Sequence, residues 1–429
     1  MQAGFARIVI TPRVGARMFG WGSRDDDHGC EGAHDDIHAR ALWMRDGNED
    51  VLTLGFDLLF FNREIADRLR DAIGIRFALA PRQILLNTSH THNGPTTGTW
   101  WTALYQPPDT VYLDELERRI LSLAEQARDA LTPVMVFAGE TTTSIALSRR
   151  KLNADGQAEW IANDENTIYT SVPVCLLRDV STDMPVCLLF SVSCHPSTVP
   201  GHLISADYPG VAMRELDAHF GTCSMFLQGV GGDTKVRAAD GGMQFGTTWV
   251  DQESAGRHIA ESISGVINRL ERVEATLTAV ETEMTLATHP VRSRDEFALI
   301  RDDSGESEIR RLWAGRFAEK LDRGQYIDAV VPITMHGVQI GTDVRLVGVE
   351  AEATAEVGNL IADFFGGGVT FPMGYTDGCQ LYLPLDRMLP QGGYEVTSAH
   401  EYGFPSNLAR GIDGALNAGL DTLRRAGIT

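Results

Sequence analysis

Six times along this 429-residue chain an apolar, strand-like run stops at a polar or ionisable residue and turns at once. The stops are Asp57, His90 with His92, His195, Asp233, Glu352 and Tyr382. Helical spacing alternates with these runs, over residues 63–75, 112–131, 208–220, 252–272, 352–365 and 407–426, and residues 295–323 form a charged helical stretch. Gly341-Thr342-Asp343 between apolar runs signals a hairpin. Hairpins mixed with strand-to-helix steps predict an α/β fold, with mixed β-sheets covered by helices. No low-complexity linker or repeat interrupts the chain, so residues 1–429 read as a single large catalytic domain. Groups held where strands end tend to share a cleft.

The most informative stop is Asn87-Thr88-Ser89-His90-Thr91-His92-Asn93-Gly94-Pro95. Residues i and i+2 of an extended segment share a face, so both imidazoles can point into one cleft. Imidazole is the commonest zinc ligand and a proton carrier near neutral pH. One ring for a metal and one for a substrate is the functional reading; two hydrogen-bonded loop histidines is the alternative, because a metal site needs three or four convergent ligands. His195 leaves the strand over residues 186–193 just before Pro196, and Asp207 offers a helix cap. Gly229-Val230-Gly231-Gly232-Asp233 lacks the Gly-Lys-Ser/Thr ending of a nucleotide-binding loop. Its glycines are expected to let the backbone approach a substrate closely. Glu350, Glu352 and Glu356 are expected near a helix start, and spacing does not choose among them. A loop over residues 98–110 carries Trp100, Trp101, Tyr105, Pro107 and Pro108.

A net charge of −21 argues against nucleic acid and anionic membrane surfaces as partners, but not against a small anion in a locally basic pocket. The longest apolar runs are too short to cross a bilayer, so no membrane insertion is expected. Six scattered cysteines and no signal-like N-terminus suggest buried free thiols and a cytoplasmic protein. Self-association into a homo-oligomer is compatible with the sequence.

Taken in order, His-Thr-His-x-Gly-Pro, the His-Pro strand exit, the Gly-Asp loop and the Gly-Tyr…Tyr segment resemble the neutral/alkaline, non-lysosomal ceramidases, which are zinc amidases. The resemblance runs from Ala6 to Glu395 and covers their catalytic domain. It implies a Zn²⁺ ion held by His90, His195, Glu352 and Tyr382. His92 would move a proton, and Arg149 (or its neighbour Arg150) with Tyr394 would hold the substrate carbonyl or its oxyanion. Where the family has a serine, two residues after the Asp of the Gly-Asp loop, this chain has Lys235. Lys235 is expected to bind an anionic group, with Asp233 and Asp57 also facing the substrate. No counterpart of the family's C-terminal immunoglobulin-like domain is expected, and ceramide itself is not the expected substrate. The expected activity is zinc-dependent cleavage of an amide (N-acyl) bond in a small polar or anionic molecule through metal-activated water. The same site could serve an ester or lactone hydrolase, and a non-catalytic metal- or ligand-binding member of the family is the rival reading.

Overall fold

The computed structural model describes residues 1–429 except Ser23, residues 25–27, Asn48, residues 99–108, Thr222 and Ala275. The Trp- and Pro-rich loop expected over residues 98–110 therefore lies almost wholly outside the described residues.

Four layers stack as helix, sheet, sheet, helix. The larger sheet has nine strands, running in space from Ser224–Gln228 through Pro185–Val192, Ser171–Asp179, Thr132–Thr142, Gln2–Val9, His38–Arg45 and Asp50–Phe56 to Ile84–Thr88, with Glu271–Val273 added on Thr132–Thr142. It is mixed: Ser224–Gln228 runs parallel to Pro185–Val192, and Ile84–Thr88 parallel to Asp50–Phe56, while the others pair antiparallel. The smaller sheet orders Leu277–Ala287, Val330–Ile340, Val344–Val349 and Val369–Met373, and Gly341 turns its hairpin at φ 61°.

Strand alternation distributes the apolar side chains. Leu85, Leu189 and Leu227 point between the sheets, where they meet Val338, Leu346 and Phe371. Ile84 and Leu86 point outward onto the helices Arg63–Phe77 and Thr110–Asp129. Leu188 and Phe190 point outward onto Asp207–Phe220 and Trp249–Ser264. The outer face of the smaller sheet packs on Ala355–Phe365 and Ile412–Arg425. Strands buried on both faces read as unbroken apolar runs, as observed.

Three local expectations are corrected. The charged stretch 295–323 is two helices, Arg294–Asp302 and Glu308–Asp322, because Ser307 caps the second through Arg310 N–H. The helix expected over 252–272 stops at Ser264, and residues 271–273 form a strand. Glu352 is not helical: Glu352–Ala353 is an extended pair bonded to Tyr382–Leu383, and the helix starts at Ala355.

The site lies where both sheets present strand ends. The parallel strands Ile84–Thr88, Pro185–Val192 and Ser224–Gln228 end at His90, His195 and the Gly229–Asp233 loop. Val344–Val349 and Val369–Met373, also parallel, lead to Glu352 and Tyr375. Bridges Gly229↔Met373, Asn87↔Thr376 and His195↔Lys235 tie these ends together.

Candidate metal centre

His90 sits just past its strand in the left-handed backbone region at φ 66°, unusual for a non-glycine residue and a local strain of the kind kept at functional sites. Its backbone N–H donates to Leu58 O at 2.8 Å, and its Nδ1 lies 3.0 Å from Leu59 O. His195 places Nδ1 2.7 Å from Gly231 O. A carbonyl only accepts, so each Nδ1 carries the proton and each Nε2 presents its lone pair. Those two Nε2 atoms are 3.0 Å apart. Glu352 Oε2 lies 3.3 Å from the first and 3.5 Å from the second. Two lone pairs facing each other at that distance repel unless a cation or proton lies between them. A four-coordinate ion with bonds of about 2.0–2.1 Å sets its ligands about 3.3 Å apart. The three donor atoms therefore fit a zinc-like ion. Burial pushes the His195 imidazole down to about 3, against the pull of Glu352, which keeps the ring in the neutral form a metal requires.

Two phenols hold Glu352. Tyr402 donates to Oε1 at 2.5 Å and Tyr375 to Oε2 at 3.3 Å. Tyr375, at φ 51°, also stacks on His90 with ring centroids 4.2 Å apart. Tyr382 is the register partner of Glu352 in the parallel pair, and both line the same cavity. Glu350 is turned away: Arg63 grips its carboxylate, with Gln380 and the Thr334 N–H also donating. Of the two acids, only Glu352 reaches the imidazoles.

The cavity above these residues has a volume of about 390 Å³. Its polar lining includes His90, His92, Glu352, Tyr382 and Tyr394 together with Arg24, Glu401 and Tyr402; Leu59 and Phe60 contribute apolar surface. His92 Nε2 is 3.2 Å from His90 Nε2, while its Nδ1 has no hydrogen-bond partner among the described residues. That separates it from the other two rings, whose Nδ1 atoms are both committed to carbonyls, and leaves it freer to exchange a proton. Tyr394 donates to Glu401 at 2.6 Å. Behind the tyrosines, Arg149 and Arg150 share one carboxylate: Arg149 Nε is 2.7 Å from Glu395 Oε1, and Arg150 Nη1 is 2.5 Å from Oε2. The Arg149 guanidinium lies 4.0 Å from the Trp160 ring centroid, 5.3 Å from that of Tyr382 and 5.5 Å from that of Tyr394. Among the described residues a second group of metal-ligating type, His28, Glu31 and His202, lies at the surface. Its two rings stack at 4.7 Å and 24°, which directs their in-plane lone pairs side by side rather than at one point.

This architecture has solved counterparts. A neutral ceramidase from Pseudomonas aeruginosa superposes with a TM-score of 0.76 at 16% identity, over 99% of this chain and 74% of that one. A ceramidase complexed with C2 gives 0.75 at 16% identity, over 100% and 76%. The chain has the fold of the neutral ceramidases. No protein-family model and no curated protein matches its sequence.

Within that ceramidase fold, two of the expected substrate contacts, Asp57 and Asp233, are placed differently. Asp57 accepts from Arg40 Nη1 at 3.0 and 2.9 Å and from the His38 N–H at 2.8 Å, so it is a buried ion pair beneath the strand end and not part of the cavity lining. Asp233 accepts the Ala355 N–H at 2.8 Å, anchoring the helix that follows Glu352, and it too is absent from the lining. Burial and the charge of Glu395 push its carboxyl up to about 7. The glycine loop approaches protein rather than substrate: Gly232 N–H donates to Ala353 O at 2.8 Å, and a Cβ there would meet Ala353 O and Glu352 O at 2.7 Å. Lys235 stands behind Trp21, a cavity residue, with its ammonium 5.0 Å from the indole centroid. Asp207 is not the helix cap expected of it, Ala206 holding that position; it accepts from Thr198 N–H and Oγ1, which secures the segment after His195. Sequence reasoning missed Tyr375 and Tyr402. Tyr375 follows a strand end and so carried the same signal as the six stops; Tyr402, in a short 3₁₀ turn, carried none.

Proposed function

We propose that this protein is a metal-dependent hydrolase that cleaves an amide (N-acyl) bond of a small polar or anionic substrate, with residues 1–429 acting as one catalytic unit. The observation that carries the reading is the 3.0 Å approach of two Nε2 lone pairs, with a carboxylate oxygen within 3.5 Å of both, at a cavity also lined by the His92 imidazole. The likeness to proteins named ceramidases supports amide cleavage as the reaction class.

His90, His195 and Glu352 would hold the ion, with Tyr382 the phenol nearest in register to Glu352. The mixed nitrogen and oxygen donors suit Zn²⁺. A bound ion there supplies Lewis acidity, polarising a carbonyl and acidifying water. His92 sits beside the site with one unbonded ring nitrogen and can carry a proton to the departing nitrogen. Arg149 places a fixed positive charge behind Tyr382 and Tyr394, which favours negative charge developing on a substrate oxygen. Tyr394 donates a hydrogen bond to Glu401 and can donate to a substrate only by exchanging that bond. A cavity of about 390 Å³ suits a small molecule. Five buried free thiols, together with the partly exposed Cys223, fit a cytoplasmic setting. No helix among the described residues is long and apolar enough to cross a membrane.

The test is metal content and turnover of the full chain loaded with Zn²⁺, on a matched panel of N-acyl compounds, esters and lactones. Amide turnover that disappears with the metal is expected. Turnover of lactones or esters alone, or a protein that binds no metal, would overturn the reading.

A further inference from the structure

Several cations around the site are matched by carboxylates, while Arg24 at the cavity wall donates to the His92 carbonyl and to Asn93 Oδ1. Arg149 and Arg150 share Glu395, Arg40 holds Asp57, and Arg63 holds Glu350. Lys235 is mostly buried, yet among the described residues no carboxylate lies within 4.0 Å of its ammonium. Its neighbours are two aromatic rings, Trp21 at 5.0 Å and Phe245 at 6.0 Å. Ring faces attract a cation but do not replace an anion when water is largely excluded. The position is rigid, because Lys235 pairs with Leu147 on one side and bridges His195 on the other.

The location matters as much as the charge. Trp21 Nε1 donates to Asn93 Oδ1 at 3.1 Å, which fixes the indole, and the indole meets the edge of His92 with centroids 5.4 Å apart. Trp21 thus stands between His92 on the cavity wall and Lys235 just behind that wall. The nitrogen that leaves an amide takes its proton from the proton carrier, so the amine half of the substrate lies on the His92 side. A carboxylate that meets Lys235 therefore belongs to the amine half.

We infer that the substrate is an N-acyl amino acid, its carboxylate held by Lys235 and its acyl group lying along Leu59 and Phe60. This rests on the amidohydrolase reading above. The reaction balances as plain hydrolysis: a water oxygen bonds to the acyl carbon, the carbon–nitrogen bond breaks, and the nitrogen accepts a proton through His92. The products are a carboxylate and a free amino acid, with no oxidant or co-substrate needed.

Three probes share one scissile bond: N-hexanoylglycine, N-hexanoylmethylamine, which lacks the carboxylate, and the monomethylamide of adipic acid, which carries it on the acyl half. A fourth, hexylsulfonylglycine, keeps the carboxylate but cannot be hydrolysed as an amide. A charge-assisted hydrogen bond predicts a KM for N-hexanoylglycine about 10–100-fold below those of the other two amides. Lys235→Met should erase that advantage while keeping the metal content, and Lys235→Arg should restore most of it. Direct titration of the sulfonyl probe should show the same loss of affinity in Lys235→Met. A wild-type enzyme without preference for N-hexanoylglycine, or a preference that survives in Lys235→Met, overturns the inference. If no amide is turned over but the sulfonyl probe binds in a Lys235-dependent manner, carboxylate recognition stands and the amidohydrolase reading fails instead.

Discussion

Replacing Tyr402 by phenylalanine removes one oxygen and keeps the ring that packs at 5.8 Å from Tyr382. That oxygen donates to Glu352 Oε1, the carboxylate atom that does not face the imidazoles, and so fixes the rotation that aims Oε2 at His90 and His195. A hydrogen bond to a charged group is worth about 1.5–3 kcal/mol, and loss of a group that orients a metal ligand typically costs about 10–100-fold in metal affinity. The two figures agree, so Tyr402→Phe should weaken Zn²⁺ binding by about 10–100-fold. Tyr375 makes the longer 3.3 Å bond, and Tyr375→Phe should cost less than about tenfold. The assay is competition for Zn²⁺ against a chromophoric chelator with the full-length chain, with circular dichroism confirming an intact fold. A Tyr402→Phe protein that is folded and binds Zn²⁺ within twofold of wild type would refute the reasoning, because Glu352 would then be either correctly aimed without Tyr402 or not a ligand.

Further outcomes follow from the same geometry. His92→Ala should keep its metal and lose about 10²–10⁴-fold in turnover, measured by elemental analysis alongside kinetics; loss of the metal would make His92 a ligand. Zn²⁺ at 100–1,000 times its dissociation constant should stabilise the wild-type protein by about 3–4 kcal/mol in thermal unfolding, and His195→Ala should abolish most of that gain. Asp233 supplies a pH test. Its carboxyl is raised by burial from 3.8 to about 7, so between those values the folded state keeps a proton that the unfolded chain has released. The unfolded state then binds fewer protons, and stability falls as pH rises through that window, by on the order of a few kcal/mol. Asp233→Asn cannot titrate, and its melting temperature should vary less than that of wild type between pH 4 and 7; an unchanged slope would place the effect on another group.

Local chemistry made much of this protein legible. Apolar runs ending at His90, His195 and Glu352 marked strands and their exits, because alternation and turn residues act over a few positions. The strands His38–Arg45 and Leu277–Ala287 escaped notice, since arginines or acids interrupt their apolar pattern, and Ser171–Asp179 because Pro173 sits inside its apolar run; only pairing with neighbours makes them strands. Glu350 and Glu352 are chemically alike in the chain. Register decides between them: the extended pair with Tyr382–Leu383 turns one towards the imidazoles, while Arg63, hundreds of residues away, takes the other. Asp57 and Asp233 met the same local criterion as the histidines but found Arg40 and the Ala355 N–H. The sequence by itself determined which residue types arrive at strand ends, because a strand's end is a local event. Tertiary structure alone decided which of them share a cavity, which are consumed in holding the scaffold, and that Lys235 meets no carboxylate among the described residues, because each outcome depends on partners that only packing of the two sheets brings within hydrogen-bond distance.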